Sequence, residues 1–150
     1  MRPPSAAYQD EFYRSISKVA KGCVRVSSEY SVPEGACPGR IDFFISSTKW
    51  GIELLRDGHK PEENWSRFRL GGAYGAWLKA DDMTDYIILD FRGPHNCKIS
   101  FHSSALNNHS SEDMKKLYHV VFPNKDFNYV EVLDTNLEKV AQISLMEHPV

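Results

Sequence analysis

Cysteine is scarce in this sequence and does not occur in pairs. The 150 residues include three cysteines, Cys23, Cys37 and Cys97. None of them forms a C-x-x-C motif, and an odd number does not suit a disulfide-linked secreted scaffold. The sequence therefore favours a reducing compartment, and we predict an intracellular protein.

Long apolar runs are absent as well. No stretch approaches the roughly 18 residues that are needed to cross a bilayer, so we predict no membrane partner. Residues 1–7 lack the apolar segment of a secretory signal, and we expect them to be a disordered lead-in. A length of 150 residues is typical of one domain with its own core, so we predict a single domain over residues 1–150.

A strong charge of one sign is the third absence. Charged residues make up 25% of the chain, and the formal net charge is −2. The sequence thus predicts no global positive field for nucleic acid, although a local basic patch is compatible with this balance. It also lacks G-x-S-x-G, Walker, Rossmann and H-E-x-x-H motifs, which excludes several classes of enzyme.

The main positive signal is a pair of apolar runs with one acid in the middle of each. Residues 39–45 contain Asp42, and residues 50–58 contain Glu53. Both runs are rich in isoleucine, leucine and aromatic residues, which favour strands. The polar break at residues 46–49 is too short for a crossover connection, so the two strands must form an antiparallel hairpin.

The hairpin determines where the two acids lie. If residues 47–48 form its tip, Asp42 faces Glu53 with Cβ atoms roughly 4.5–5.5 Å apart. Two carboxylates placed in this way repel each other, and a divalent cation such as magnesium commonly compensates. Two alternatives remain open. Arg40 or Arg56 neutralises one acid, or the register slips and one acid points to solvent.

The rest of the chain predicts an α/β fold with a mixed central β-sheet, flanked by helices and followed by a β-rich C-terminal extension. The predicted helices span residues 8–21, 62–70 and 73–79, with the glycine pair 71–72 between the last two. The predicted strands outside the hairpin span residues 23–29, 85–92, 118–122, 129–133 and 140–145. Two weaker candidates are a strand over residues 98–101 and helical turns over residues 112–117.

This order of elements, with an acid on each arm of the hairpin, resembles the PD-(D/E)XK restriction-endonuclease-like superfamily. The matching motif is Asp42, ten intervening residues and Glu53-Leu54-Leu55. More narrowly, the chain resembles the nuclease-like C-terminal domains of Crinkler-type proteins of fungi and oomycetes, some of which are effectors directed to host nuclei. The segments that carry this likeness are Gly39-Arg40-Ile41-Asp42-Phe43, residues 50–58, Arg67-Phe68, Gly72, Tyr74 and residues 87–92.

The resemblance implies a restriction-endonuclease-like core that hydrolyses phosphodiester bonds, with DNA as the expected substrate. It implies that Asp42 and Glu53 bind Mg²⁺ or Mn²⁺, with the backbone carbonyl of Leu54 as a further ligand. Glu11, on the first predicted helix, is the best match by position for an additional acid of the site, and a solvated helix face explains it equally well. The nucleus of a host cell is the location that the resemblance implies.

The chain departs from the superfamily at one position. A lysine normally follows the second acid by two residues, and here that residue is Leu55. Arg40, opposite Leu55 in the predicted register, and Arg56, next in sequence, are the candidate substitutes. Arginine binds phosphate well but is a poor general base. Two functions are therefore compatible: a metal-dependent nuclease, or an inactive nuclease-fold module that binds nucleic acid or a host nuclear protein.

Overall fold

The structure is a computed structural model that describes residues 12–16, 25–31, 39–59, 61–99 and 115–144. These ranges contain three helices and seven strands. The helices are α1 (residues 12–16), α2 (Pro61–Phe68) and α3 (Gly75–Lys79). The strands are β1 (Val26–Tyr30), β2 (Ile41–Ile45), β3 (Trp50–Arg56), β4 (Asp85–Arg92), β5 (Leu117–Val121), β6 (Tyr129–Leu133) and β7 (Lys139–Ser144).

The seven strands form one mixed sheet in the order β1 to β7. The pairs β1–β2, β2–β3, β5–β6 and β6–β7 are antiparallel, whereas β4 and β5 are parallel. A mixed sheet accompanied by helices confirms the predicted α/β class. Two of the predicted strands, residues 85–92 and residues 129–133, match β4 and β6 at both ends.

Other predicted elements differ from the structure or lie outside it. The structure describes only residues 12–16 of the predicted first helix, and these are helical. The lead-in over residues 1–7 lies outside the described residues. In the candidate strand over residues 98–101, Lys98 and Ile99 are not in a strand, and the remaining two residues are not described.

The candidate helical turns over residues 112–117 are replaced, where the structure describes them, by the start of β5. Residues 115–116 form a turn and Leu117 begins the strand. The amide of Ile88 donates to the carbonyl of Lys116 (2.8 Å), which begins the parallel ladder with β4 at this point. Leu117 is fully buried, so pairing and burial outweigh the local helical pattern.

The chain divides into two compact units. The first contains residues 1–54 and 63–87, and the second contains residues 55–62 and 88–150. The first unit has an aromatic core. The rings of Tyr30 and Phe44 stack at 4.3 Å, and those of Phe68 and Tyr86 stack at 3.8 Å. Trp65 lies one helical turn before Phe68, and both side chains are buried. One face of α2 therefore supplies much of this core.

The second unit contains a buried acid on β4, Asp90, which is 1% exposed. Its Oδ1 accepts a hydrogen bond from the amide of Gly58 (2.8 Å). Its Oδ2 accepts one from Nε of Arg92 (2.7 Å) and lies 2.9 Å from Nδ1 of His119. Burial alone would raise the pKa of Asp90, but the hydrogen bonds from His119, Gly58 and Arg92 together lower it below its ordinary value. The ionised carboxylate therefore ties β4 to β5 and to the turn that follows β3.

Replacing Asp90 with asparagine is expected to lower the free energy of unfolding by about 3 kcal/mol, because one of its donors then meets an amide NH₂ and Arg92 loses a buried counter-charge. Urea denaturation followed by tryptophan fluorescence measures this loss. Asp81→Asn is the matched control, since Asp81 forms an exposed ion pair with Lys49 (3.2 Å) and exposed pairs contribute about 1 kcal/mol or less. Equal losses in the two variants would contradict the role of Asp90.

Candidate functional site

The β2–β3 hairpin has the predicted register. Residues 46–49 form its turn, and the paired residues are Phe43 with Ile52, Phe44 with Gly51, and Ile45 with Trp50. Continued by one residue, the same register places Asp42 across from Glu53. Facing residues on neighbouring strands point to the same side of a sheet, so the two acids share one face.

Asp42 is half-buried and is held by the backbone of the opposite strand. Its Oδ2 accepts a hydrogen bond from the amide of Leu54 (2.8 Å). The backbone of Asp42 in turn makes a hydrogen bond to the carboxylate of Glu53. Asp42 thus makes hydrogen bonds to β3 through both its side chain and its main chain. The geometry of the hairpin therefore sets the separation of the two acids.

Glu53 is the buried member of the pair, with only 4% of its surface exposed. Its Oε1 accepts a hydrogen bond of 2.6 Å from Nη1 of Arg67, which lies in the last turn of α2. Its Oε2 lies 3.5 Å from the hydroxyl of Tyr74. The carboxylate of Glu53 therefore has one cation (Arg67), one acid (Asp42) and one neutral hydroxyl (Tyr74) as neighbours.

Burial and the neighbouring Asp42 raise the pKa of Glu53 from 4.5 to about 7, although Arg67 opposes this change. The physical reason lies in the difference in exposure. The side chain of Arg67 is 44% exposed, whereas that of Glu53 is 5% exposed. Water screens the arginine charge, while the penalty for ionising a buried carboxyl is not screened. One arginine does not compensate for two facing acids.

Tyr74 positions the segment before β2. Its hydroxyl donates to the backbone carbonyl of Arg40 (2.5 Å), and its ring is almost fully buried. Burial and the nearby Glu53 raise the pKa of Tyr74 above its ordinary value, so it remains a neutral donor. The hydroxyl therefore contributes a hydrogen bond to the site without adding a charge.

A tight connection between α2 and α3 places Tyr74 at the site. Gly71 has φ +90°, a conformation that L side chains rarely adopt, and it lies in the turn that follows α2. At Gly75 a Cβ atom would lie 2.0 Å from the backbone oxygen of Arg69. The amide of Tyr74 donates to the carbonyl of Arg67 (2.7 Å) across this connection. The glycine pair at residues 71–72 thus lies between two helices as predicted, although α2 ends at Phe68 rather than at residue 70.

The two predicted arginines each have an acidic partner other than Asp42 and Glu53. The guanidinium of Arg40 is exposed and lies 3.6 Å from a carboxylate oxygen of Glu29. Nε of Arg56 lies 3.3 Å from a carboxylate oxygen of Asp57. Glu11 lies outside the described residues. The structure thus brings Asp42 and Glu53 together, and Arg40 and Arg56 form ion pairs with Glu29 and Asp57.

Arg67 and Tyr74 are the site residues that the sequence did not identify as such. Both belong to segments in which the sequence resembles Crinkler-type domains, and this resemblance is the signal that could have identified them. Arg67 lies on the helix that also buries Trp65 and Phe68, so its position beside the sheet depends on how α2 packs. No local pattern reports that packing.

The donor set suits a hard divalent cation only with help from other ligands. Among the residues that the structure describes, no group of three or more His, Cys, Asp or Glu side chains is arranged to hold a metal ion. Magnesium is commonly bound by one or two carboxylates, with water and substrate phosphate completing the octahedron. Asp42 and Glu53 supply the two carboxylates of that pattern, and burial together with the charge of Asp42 raises the pKa of Glu53.

Comparison with models of protein families, with curated proteins and with solved structures finds no match to this chain. The likeness to PD-(D/E)XK nucleases accordingly rests on the residues of this sequence. In the described part of the chain, no helix combines the length and the apolar character that crossing a membrane requires.

Glu53 is expected to make folding stability depend on pH. The unfolded chain releases this proton near pH 4.5 and the folded chain near pH 7. The folded state binds more protons between these values, so its stability falls as pH rises through that window. Glu53→Gln removes the titration and should gain up to about 3 kcal/mol relative to the native chain between about pH 4 and about pH 8.

Urea denaturation at a series of pH values, without divalent ions, measures this difference. Asp42→Asn serves as the comparison, because the charge of Asp42 is the second cause of the raised pKa. That variant should show a shallower dependence on pH than the native chain. A difference between Glu53→Gln and the native chain that does not change with pH would contradict the assignment.

Proposed function

We propose that this chain is a divalent-metal-dependent phosphodiesterase that acts on nucleic acid, with DNA as its expected substrate. The observation that carries the proposal is the facing pair of acids, in which Glu53 is buried and has a pKa of about 7 beside Asp42. Buried like charges are costly to hold together in a protein unless a binding partner compensates them. A divalent cation provides the charge and the oxygen coordination that the pair lacks.

Asp42, Glu53 and the backbone carbonyl of Leu54 would hold Mg²⁺ or Mn²⁺. When bound, the ion supplies Lewis-acid polarisation of the scissile phosphate and lowers the pKa of a coordinated water. Arg67 would supply positive charge beside Glu53, since Leu55 at the motif's lysine position provides none. Its guanidinium stabilises developing negative charge and does not accept a proton. Tyr74 keeps the strand end near Arg40 in place through its hydrogen bond.

The order of helices and strands around the acid pair supports a more specific proposal about the fold. A helix, a hairpin with an acid on each arm, further helices and a strand support a restriction-endonuclease-like core for this α/β chain. The likeness to Crinkler-type domains extends the proposal to an effector that acts in the nucleus of a host cell. The net charge of −2 fits a protein that binds DNA through a local site rather than through a global field.

Purified protein is expected to cleave plasmid DNA or labelled oligonucleotides in the presence of Mg²⁺ or Mn²⁺ and to be inactive in chelator. Asp42→Ala and Glu53→Gln should lose cleavage while retaining the native circular dichroism spectrum. Asp81→Asn, an exposed acid remote in sequence from the pair, is the control and should cleave normally. The proposal fails if the native chain leaves DNA and RNA intact under all metal conditions, or if the two site variants cleave as well as the native chain.

A binding module without catalysis is the second candidate function. It is favoured by the buried Leu55 at the lysine position and by the ion pair through which Arg67 occupies Glu53. Such a module would contact nucleic acid or a host nuclear protein with the same fold. Fluorescence anisotropy with labelled DNA separates the two candidates, because the module binds DNA that remains intact and its affinity does not depend on divalent ions.

A further inference from the structure

Arg67 occupies one of the acceptor positions of the Glu53 carboxylate. Its Nη1 lies 2.6 Å from Oε1 of Glu53, within the distance of a strong charge-assisted hydrogen bond. An arginine and a divalent ion cannot bind the same carboxylate oxygen in the same direction. A metal ion that binds Oε1 from the side of Arg67 therefore displaces the guanidinium.

The surroundings of Arg67 permit its side chain to leave without a change of fold. Nearly half of the side chain is exposed, at 44%, so water can solvate the released guanidinium. The backbone at Arg67 stays fixed, since its carbonyl accepts a hydrogen bond from the amide of Tyr74 (2.7 Å). A rotation about side-chain bonds is sufficient, and an exposed arginine makes such rotations in picoseconds to nanoseconds.

The charges of the site supply a reason for the exchange. Asp42 and Glu53 carry two negative charges when both are ionised, and Arg67 neutralises one of them. A divalent ligand neutralises both and removes the attraction that holds the guanidinium. The guanidinium then remains within one side-chain length of the two acids. Its planar fork matches two oxygens of a phosphodiester.

We propose that Arg67 is a latch that binds Glu53 in the metal-free protein and, once the acids are ligated, turns to bind the phosphodiester anion of the substrate. This inference rests on the proposed metal site at Asp42 and Glu53. It assigns one residue two successive partners, and it identifies the ligand of the latch as a single phosphate group of a nucleic-acid backbone. Arg67 is then a competitor for metal and a contributor to substrate affinity.

Titration of Mn²⁺ into the native chain and the Arg67→Gln variant, by calorimetry, tests the first half of the proposal. Removing the competitor should tighten Mn²⁺ binding by about tenfold, which corresponds to about 1.4 kcal/mol. Arg69→Gln is the matched control for loss of one positive charge nearby, and its affinity should change by less than about threefold. Glu53→Gln should abolish binding in either background.

Anisotropy of a labelled oligonucleotide, measured with Ca²⁺ in place of Mg²⁺ to suppress cleavage, tests the second half. Arg67→Gln should weaken DNA binding by about tenfold, whereas Arg67→Lys, which keeps the charge but loses the fork, should weaken it less. The opposite signs for metal and for DNA distinguish a latch from a structural ion pair, whose loss would lower stability and improve neither affinity.

Each result bears on one of the two proposals. Mn²⁺ binding that needs Glu53 but is unchanged in Arg67→Gln overturns the latch and leaves the metal site standing. Tighter Mn²⁺ binding with unchanged DNA affinity overturns the phosphate-binding half of the latch. Absence of Mn²⁺ binding in both the native chain and Arg67→Gln overturns the metal site, and the latch falls with it.

Discussion

The placement of Glu53 beside Asp42 is the constraint on which the candidate site depends. The hairpin register brings the two acids to one face, and the buried environment of Glu53 makes its ionisation costly. Hydrogen bonds from neighbouring groups offset part of this energetic cost. Arg67 donates from α2, and the backbone of Asp42 donates from β2. The connection between α2 and α3 must then be tight enough to hold both the arginine and Tyr74 against the hairpin.

The register was predictable because strand geometry is local. Alternation along two short strands and a turn of four residues leave few ways to pair them, and each pairing decides which side chains share a face. The same reasoning predicted that Asp42 faces Glu53. It did not place Arg40, because Arg40 precedes β2, which begins at Ile41. Outside the ladder the backbone no longer fixes the direction of its side chain, which instead lies near Glu29 on β1.

Arg67 could not be placed from the sequence for a different reason. Fourteen positions separate it from Glu53, and the contact depends on the packing of α2 and on the turn at Gly71. Trp65 and Phe68 lie three residues apart on the buried face of α2, but such spacing does not report the neighbours of a residue at the edge of that face. The ring of Tyr74 is buried in the core. The sequence pattern contained no information about its hydroxyl.

Two acids are buried in the described part of the chain, Asp90 and Glu53, and their surroundings differ. Both lie within apolar strands and both contact an arginine. Asp90 receives three hydrogen bonds, its arginine partner is 12% exposed, and its pKa is lowered. Glu53 faces a second acid, its arginine partner is 44% exposed, and its pKa is raised to about 7.

The difference in pKa follows from the balance of charge and solvation around each carboxyl. At Asp90 the protein supplies every donor that a carboxylate needs, so the group contributes to folding and has no unmet demand for a ligand. At Glu53 the protein supplies one partly exposed arginine against two facing acids, and the pKa of the group is raised to about 7. This asymmetry between Asp90 and Glu53 is the physical basis on which we propose a ligand site at the hairpin.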